Sequence, residues 1–214
     1  MDIIWHGQAL FKLKGKNATV IIDPFDPEAV GLKLPKDLEA NVVLKSHDHK
    51  DHSNVTGVKG EPMVFEGPGE YEVKGVVITG VPSFHDNSQG SERGLNIIFH
   101  INIDGVNVVH MGDFGQSQLT EEQISELGQV DVLLVPVGGV YTITGDQAAK
   151  IASQLEPKII IPMHYMIEGL KPGLETAEKF LKEMGAESLE AQPKLSVTKD
   201  RLPDEPMVVV LKAS

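Results

Sequence analysis

The chain has no cysteine in 214 residues. That excludes disulfide staples and thiolate ligands, so any metal must be held by nitrogen and oxygen. Long apolar runs are missing too: no segment approaches the ~18 consecutive apolar residues of a membrane-crossing helix. The opening stretch MDIIWHGQAL lacks a basic flank, an apolar stretch and a small-residue cleavage site, so the expected location is the cytoplasm. Positive charge is in deficit. Lys and Arg number 19 against 31 Asp and Glu, a formal net charge of −12, and such a field repels phosphate backbones and argues against a dedicated nucleic-acid binder. The longest basic stretch, KLKGK at 12–16, alternates like one solvated face of a strand.

Hydrophobic residues make up 41% of the chain, enough to fill the core of one sizeable domain. DIIW, ALFKLKG and ATVIIDP read as short strands, separated by turn signals at Gly7 and at Gly15 to Asn17. A looser, proline-containing segment leads to NVVLK (41–45), a buried strand. MVFEG, YEVKG and VVITGVPS read as a further antiparallel set, and LNIIFHINIDGVNVVHMGD as a hairpin turning at Asp104-Gly105. Helices then enter. LTEEQISEL (119–127) carries Thr120 as N-cap with Gln123 completing a capping box, and GDQAAKIASQL starts a helix near Asp146. LETAEKFLKEMG has helical periodicity up to Gly185, while VDVLLVPV, KIIIPMHY, LSVTK and PMVVVLK read as strands. The expectation is one α/β (α+β) domain over 1–214, with helices packed on sheets and loops gathered at strand ends.

LKSHDHKDHSN (44–54) packs three histidines and two aspartates between His47 and His52. His47 and His49 are two apart after an extended run, so they project from one side of the chain. Asp51 and His52 are adjacent and point differently as the chain turns. One loop can then serve two neighbouring ions, His47 and His49 on one, Asp51 and His52 on the other. Imidazole and carboxylate suit Zn²⁺, and also Mn²⁺ or Fe²⁺. Asp48 and Lys50, in the alternate register, face outward. These four ligands do not complete two sites, but three other apolar runs end in metal-capable residues: VPSFHD at His85, VVHMGD at Asp113 and IIIPMH at His164.

H-x-H-x-D-H after a buried strand, a separate His, a G-D after a hairpin strand and a late P-x-H resemble the metallo-β-lactamase superfamily. The resemblance implies a four-layer αββα sandwich with a dinuclear site at one edge. It places His47, His49 and His85 on one metal, Asp51, His52 and His164 on the other, and Asp113 on both. Asp23 in VIIDP matches the family's early aspartate, which orients ligands rather than binding metal. DPFDP, SHDHKDHSN, GPGEYEVKGV, SERG, HMGDFG, LLVPVGGVYTI and EPKIIIPMHY are similar to the branch containing ascorbate-6-phosphate lactonase and many uncharacterised hydrolases. That branch usually carries G-H-[SA] near its start; this chain has Gly7-Gln8-Ala9. A proton-transfer role for that histidine has no counterpart here.

The implied activity is a metal-dependent hydrolase in which two divalent ions, zinc first and manganese or iron as alternatives, share a hydroxide. The expected substrate is a small anionic ester, lactone or phosphoester. Asp51 or Asp113 would pass a proton to the leaving group. Arg93 in GSERG is the first candidate for gripping an anion. Tyr141, after Gly138-Gly139, and Gln8 are further candidate substrate contacts. His110 either supports the ligands from behind or packs beneath them; His6, His100 and Tyr165 read as structural. The alternatives are a phosphodiesterase or nuclease acting on nucleic acid, and a non-catalytic metal-binding member of the fold. A di-iron redox role fits less well, because His49 stands where such members carry glutamate. Homo-oligomerisation stays open, and no membrane partner is expected.

Overall fold

The computed structural model describes all 214 residues. Its strands are β1 (Asp2–Trp5), β2 (Phe11–Lys14), β3 (Thr19–Ile22), β4 (Val42–Leu44), β5 (Met63–Phe65), β6 (Gly69–Val73), β7 (Val76–Phe84), β8 (Leu95–Ile103), β9 (Val106–His110), β10 (Val132–Pro136), β11 (Ile159–Met163), β12 (Leu195–Ser196) and β13 (Met207–Val208). The helices are α1 (Pro27–Val30), α2 (Glu121–Leu127), α3 (Gly145–Leu155) and α4 (Glu178–Glu183). Six strands form one sheet, ordered β12-β1-β2-β3-β4-β5, and seven form the other, β13-β11-β10-β9-β8-β7-β6.

Side-chain alternation explains how the sheets meet. Phe11 and Leu13 of β2 are buried while Lys12 and Lys14 turn outward, so KLKGK is the solvated face expected. These residues join Ile98, Phe99, Val108 and Leu134 of the second sheet in one core of 49 buried residues. β10 and β11 are buried at every position and pair in parallel, which is why VLLVP and IIIPM read as unbroken apolar runs. Ala148, Ile151 and Leu155 of α3, with Phe180 of α4, extend that core on the far side of the second sheet. The first sheet has a thinner outer cover: α1 and the following coil enclose Leu10, Ile21, Phe25, Val30, Leu38 and Val43. This is the expected sandwich of two mixed sheets with few helices.

The β8–β9 hairpin turns at Asp104 (φ 54°) and Gly105 (φ 79°), both in the left-handed region a two-residue turn needs. The α2 capping box is present as read, with Thr120 accepting from Gln123 N and Gln123 returning to Thr120 N, an arrangement worth ~1 kcal/mol.

Four expectations are corrected. MVFEG leaves the antiparallel set: β5 lies parallel to β4 at the edge of the first sheet. LETAEKFLKEMG is helical only over α4, because Glu175 uses its backbone elsewhere: its N–H bonds Gly138 O and its carbonyl accepts from Met166 N. LSVTK pairs only through Leu195 and Ser196, since β12 runs antiparallel to β1 and reaches the chain start where Val197 N bonds Met1 O. PMVVVLK likewise pairs with β11 only at Met207 and Val208. The proline-containing segment holds one unforeseen turn of helix, α1, with Asp26 accepting from Glu28 N and Pro27 leading it.

Candidate metal centre

β3, β4, β7, β9 and β11 release the chain just before Asp23, the His47–His52 loop, His85, Asp113 and His164 respectively. The two sheets therefore deliver these residues to one edge of the sandwich. The structure brings them together in two groups, His47 with His49 and His85, and Asp51 with His52, Asp113 and His164. Within each group the ligand atoms lie within 4.8 Å of one another. Asp113 stands between the groups. Its Oδ2 is 3.3 Å from His85 Nε2 and 3.2 Å from His52 Nε2, and its Oδ1 is 3.3 Å from His164 Nε2.

Asp23, fully buried, organises the ring orientations. Its Oδ1 accepts from Ser46 N at 2.7 Å, and its Oδ2 lies 2.7 Å from Ser46 Oγ and 2.9 Å from His52 Nδ1. Ser46 Oγ has one proton; donating it to Asp23 leaves the oxygen to accept from His47 Nδ1, 2.9 Å away. One carboxylate thus keeps a proton on Nδ1 of both His52 and His47, directly and through a hydroxyl, and turns both Nε2 atoms inward. Asn96 holds the backbone on either side of Gly112, its Oδ1 accepting from Asp113 N and its Nδ2 donating to Met111 O. His110 lies beneath: Gly112 N donates to its Nδ1 and its Nε2 bonds Ala9 O, so it is a neutral strut rather than a partner of the ligands.

The charges are strongly coupled. Burial would push the Asp113 carboxyl up, but the His164 and His52 rings hold it well below the usual range. Burial opposes charge on His52 as well, yet Asp113 and Asp23 raise it well above an ordinary histidine. His47 is pushed down to about 3 by burial and by His52. The cluster is thus a buried concentration of carboxylate charge and inward-facing nitrogens. His52 Nε2 and Asp113 Oδ1 have no hydrogen-bond partner, and His47 Nε2 faces His49 Nδ1 at 3.1 Å. A divalent cation would satisfy these buried atoms by taking the place of the proton that Asp113 and Asp23 favour on His52, and an N/O donor set without sulfur fits zinc, manganese or iron.

Strain and close approach concentrate here. Gln8 (φ 52°), Asp23 (φ 49°) and His164 (φ 52°) occupy the left-handed region disfavoured for side-chain-bearing residues. A Cβ on Gly115 would collide with the backbone of His85 and Asp86, and one on Gly138 with the carbonyl of His164. Those glycines let neighbouring loops lie against the ligand-bearing backbone.

Above the ligands opens a cavity of about 630 Å³ whose lining includes His49, Asp51, Arg93, Tyr141 and Lys171. Arg93 lines this cavity and reaches across to Tyr141, its guanidinium carbon 5.3 Å from the ring centre and its Nη1 3.3 Å from Tyr141 O. Asp86 shapes that loop by accepting from the backbone N–H groups of Ser88, Gly90, Glu92 and Arg93. Burial raises its carboxyl, and those amides overcome the effect and hold it at about 2. Gln8 does not line the cavity; it is fully buried behind Asp51. Tyr165 packs on Trp5, with ring centres 5.1 Å apart, and burial pushes its hydroxyl up to about 12. His6, bonded to Ser214, and His100, on β8, stand outside the cluster.

Sequence reasoning missed Ser46, Asp86, Asn96 and Lys171. Asp86 had a local signal, since Asp followed by Ser and Gly in HDNSQG favours a side-chain-capped turn. Asn96 stood out faintly as a polar residue in an apolar strand. Lys171 had none.

Residues 2–164 match the family model described as "Beta-lactamase superfamily domain". A "UPF0173 metal-dependent hydrolase" of Methanoculleus marisnigri is 34% identical over 193 residues, spanning 77% of this chain and 81% of its own. A crystal structure from Thermotoga maritima, a candidate Zn-dependent hydrolase of the metallo-beta-lactamase superfamily, is 41% identical, with TM-score 0.80 over 98% of this chain and 97% of that one. An isothiocyanate hydrolase from Delia radicum gut bacteria shares the fold at 15% identity, with TM-score 0.70 over 92% of this chain and 99% of that one.

Proposed function

The chain belongs to the UPF0173 metal-dependent hydrolases of the beta-lactamase superfamily, and we propose that it hydrolyses a small anionic ester, lactone or phosphoester at a centre for two divalent metal ions. The observation that carries this reading is the position of Asp113, its carboxylate within 3.3 Å of rings from both ligand groups, in the lining of a cavity that also includes Arg93 and Lys171. His47, His49 and His85 would hold one ion, Asp51, His52 and His164 the other, and Asp113 both. Such ions supply Lewis acidity and lower the pKa of water toward ~7.

The chain's own residues do the rest. Asp23 and Ser46 hold His47 and His52 with the correct nitrogen inward. Arg93 and Lys171 bind the anionic group of the substrate and orient it over the ligands. Arg93 is held for this by Tyr141 and by the Asp86-capped loop. Asp51, whose side chain is 26% exposed against 3% for Asp113, faces the cavity and carries the proton to the leaving group. The protein works on a small molecule as one domain, in the cytoplasm, with zinc as the first metal.

A panel of lactones, carboxylate esters and phosphoesters, assayed with protein reconstituted in zinc and in manganese, tests the proposal. The expected result is turnover of an anionic member, abolished by chelator and by Asp51→Asn. Turnover confined to neutral esters, or undiminished in Asp51→Asn, contradicts it.

A further inference from the structure

Gln8 is fully buried at the second ligand group. Its backbone is pinned: Gln8 O accepts from Trp5 Nε1 at 2.9 Å and from His164 N at 3.0 Å. Its side-chain Nε2 lies 2.9 Å from Asp51 Oδ2 and 2.8 Å from His164 Nε2, while its Oε1 is buried without a partner. The reverse orientation of the amide would set Oε1 against a carboxylate oxygen, acceptor against acceptor, so the nitrogen belongs where it stands. Both amide hydrogens are then used on ligand atoms, and His164 accepts through Nε2.

His164 Nε2 has a single lone pair, the one a cation between Asp51, His52 and His164 would need, whereas the Asp51 carboxylate has lone pairs to spare. Gln8 does not reach the other group: none of His47, His49 and His85 bonds to it. We infer that Gln8 makes the two metal positions unequal, its amide competing with the ion at the Asp51–His52–His164 position while leaving the His47–His49–His85 position untouched. An ion at the second position would have to displace the amide from His164 Nε2. The first position therefore fills first, and at limiting metal the protein carries one ion. A histidine at position 8 has an acceptor form and can relinquish such contacts by tautomerising; a primary amide nitrogen only donates.

This rests on the dinuclear reading above, and its test reads binding rather than turnover. Full-length protein stripped of metal is titrated with zinc against a chromophoric chelator, as wild type, Gln8→Leu and Gln8→Glu. The expected wild-type result is two steps separated by about tenfold or more, the size of a lost charge-assisted hydrogen bond. In Gln8→Leu the second step tightens by about tenfold while the first is unchanged. Gln8→Glu, which replaces a donor by an acceptor, tightens the second step further and guards against misfolding of the apolar variant. Two equal steps in the wild type, or a second step unchanged or weakened in both variants, overturn the inference alone. Failure of all three proteins to bind a second ion overturns it together with the dinuclear reading.

Discussion

Asp23 Oδ2 holds His52 Nδ1 at 2.9 Å with both side chains fully buried, and the same oxygen reaches His47 through the Ser46 hydroxyl. One carboxylate thus governs a ring in each ligand group. Asp23→Asn keeps the volume but gives His52 and Ser46 a weaker, neutral partner. Metal affinity is expected to fall ~10–100-fold, as for other outer partners of metal-bound histidines. Chelator competition measures it; unchanged affinity would remove Asp23 from the site.

Gly115 has a purely steric role. Its Cα lies against the backbone of His85 and Asp86, and an added Cβ has no side chain to push aside. Gly115→Ala should displace His85 and weaken metal binding, together with a loss of stability of ~1–3 kcal/mol of the kind seen on overpacking. Metal content and a thermal melt read the two effects. Gly105→Ala, whose added Cβ would meet nothing within 4 Å, should cost stability without touching metal binding.

Arg93 and Lys171 are the arginine and lysine that line the cavity, beside Asp51, Glu92 and Asp113. Truncating either to alanine should raise KM for an anionic substrate by about tenfold with kcat little changed, because a lining contact binds ground state and transition state alike. Asp86→Ala should do the same through Arg93 by releasing the turn. Equal losses in kcat and kcat/KM would instead assign Arg93 to the reacting atoms.

His6 sets a pH dependence away from the metal ligands. Burial lowers its pKa below 6.5, opposed by its contact with Ser214 O, and its Nε2 has no partner. The unfolded chain binds a proton near pH 6.5 that the folded state takes up only at lower pH, so this contribution is complete above 6.5 and declines as pH falls below it. His6→Gln should therefore lose less stability than wild type between pH 7.5 and 5.5 in urea titrations. Equal losses would show that His6 titrates alike folded and unfolded.

What was legible in the sequence follows from where the information sits. The candidate ligands were legible because four crowd one short loop and His85, Asp113 and His164 each follow an apolar strand, where metal chemistry allows few residue types. The β8–β9 hairpin was legible because Asp104-Gly105 encodes its own turn. The side of the sandwich that MVFEG joins was not, since β4 and β5 are parallel and nothing local specifies such a pairing. Nor was the shortening of α4, which depends on Gly138 capturing the backbone of Glu175 across the fold. Ser46 and Asn96 support the site through contacts that only the folded chain creates, and Gln8 was noticed as a departure whose partners appear only in three dimensions.

The most direct test is the metal content of purified protein, wild type beside Asp113→Ala. About two ions per chain are predicted for the wild type loaded with excess zinc and a clear fall in the variant, because Asp113 lies against both ligand groups. No stoichiometric metal after reconstitution with zinc or manganese, or a content indifferent to Asp113, would contradict a dinuclear centre at this edge of the sandwich.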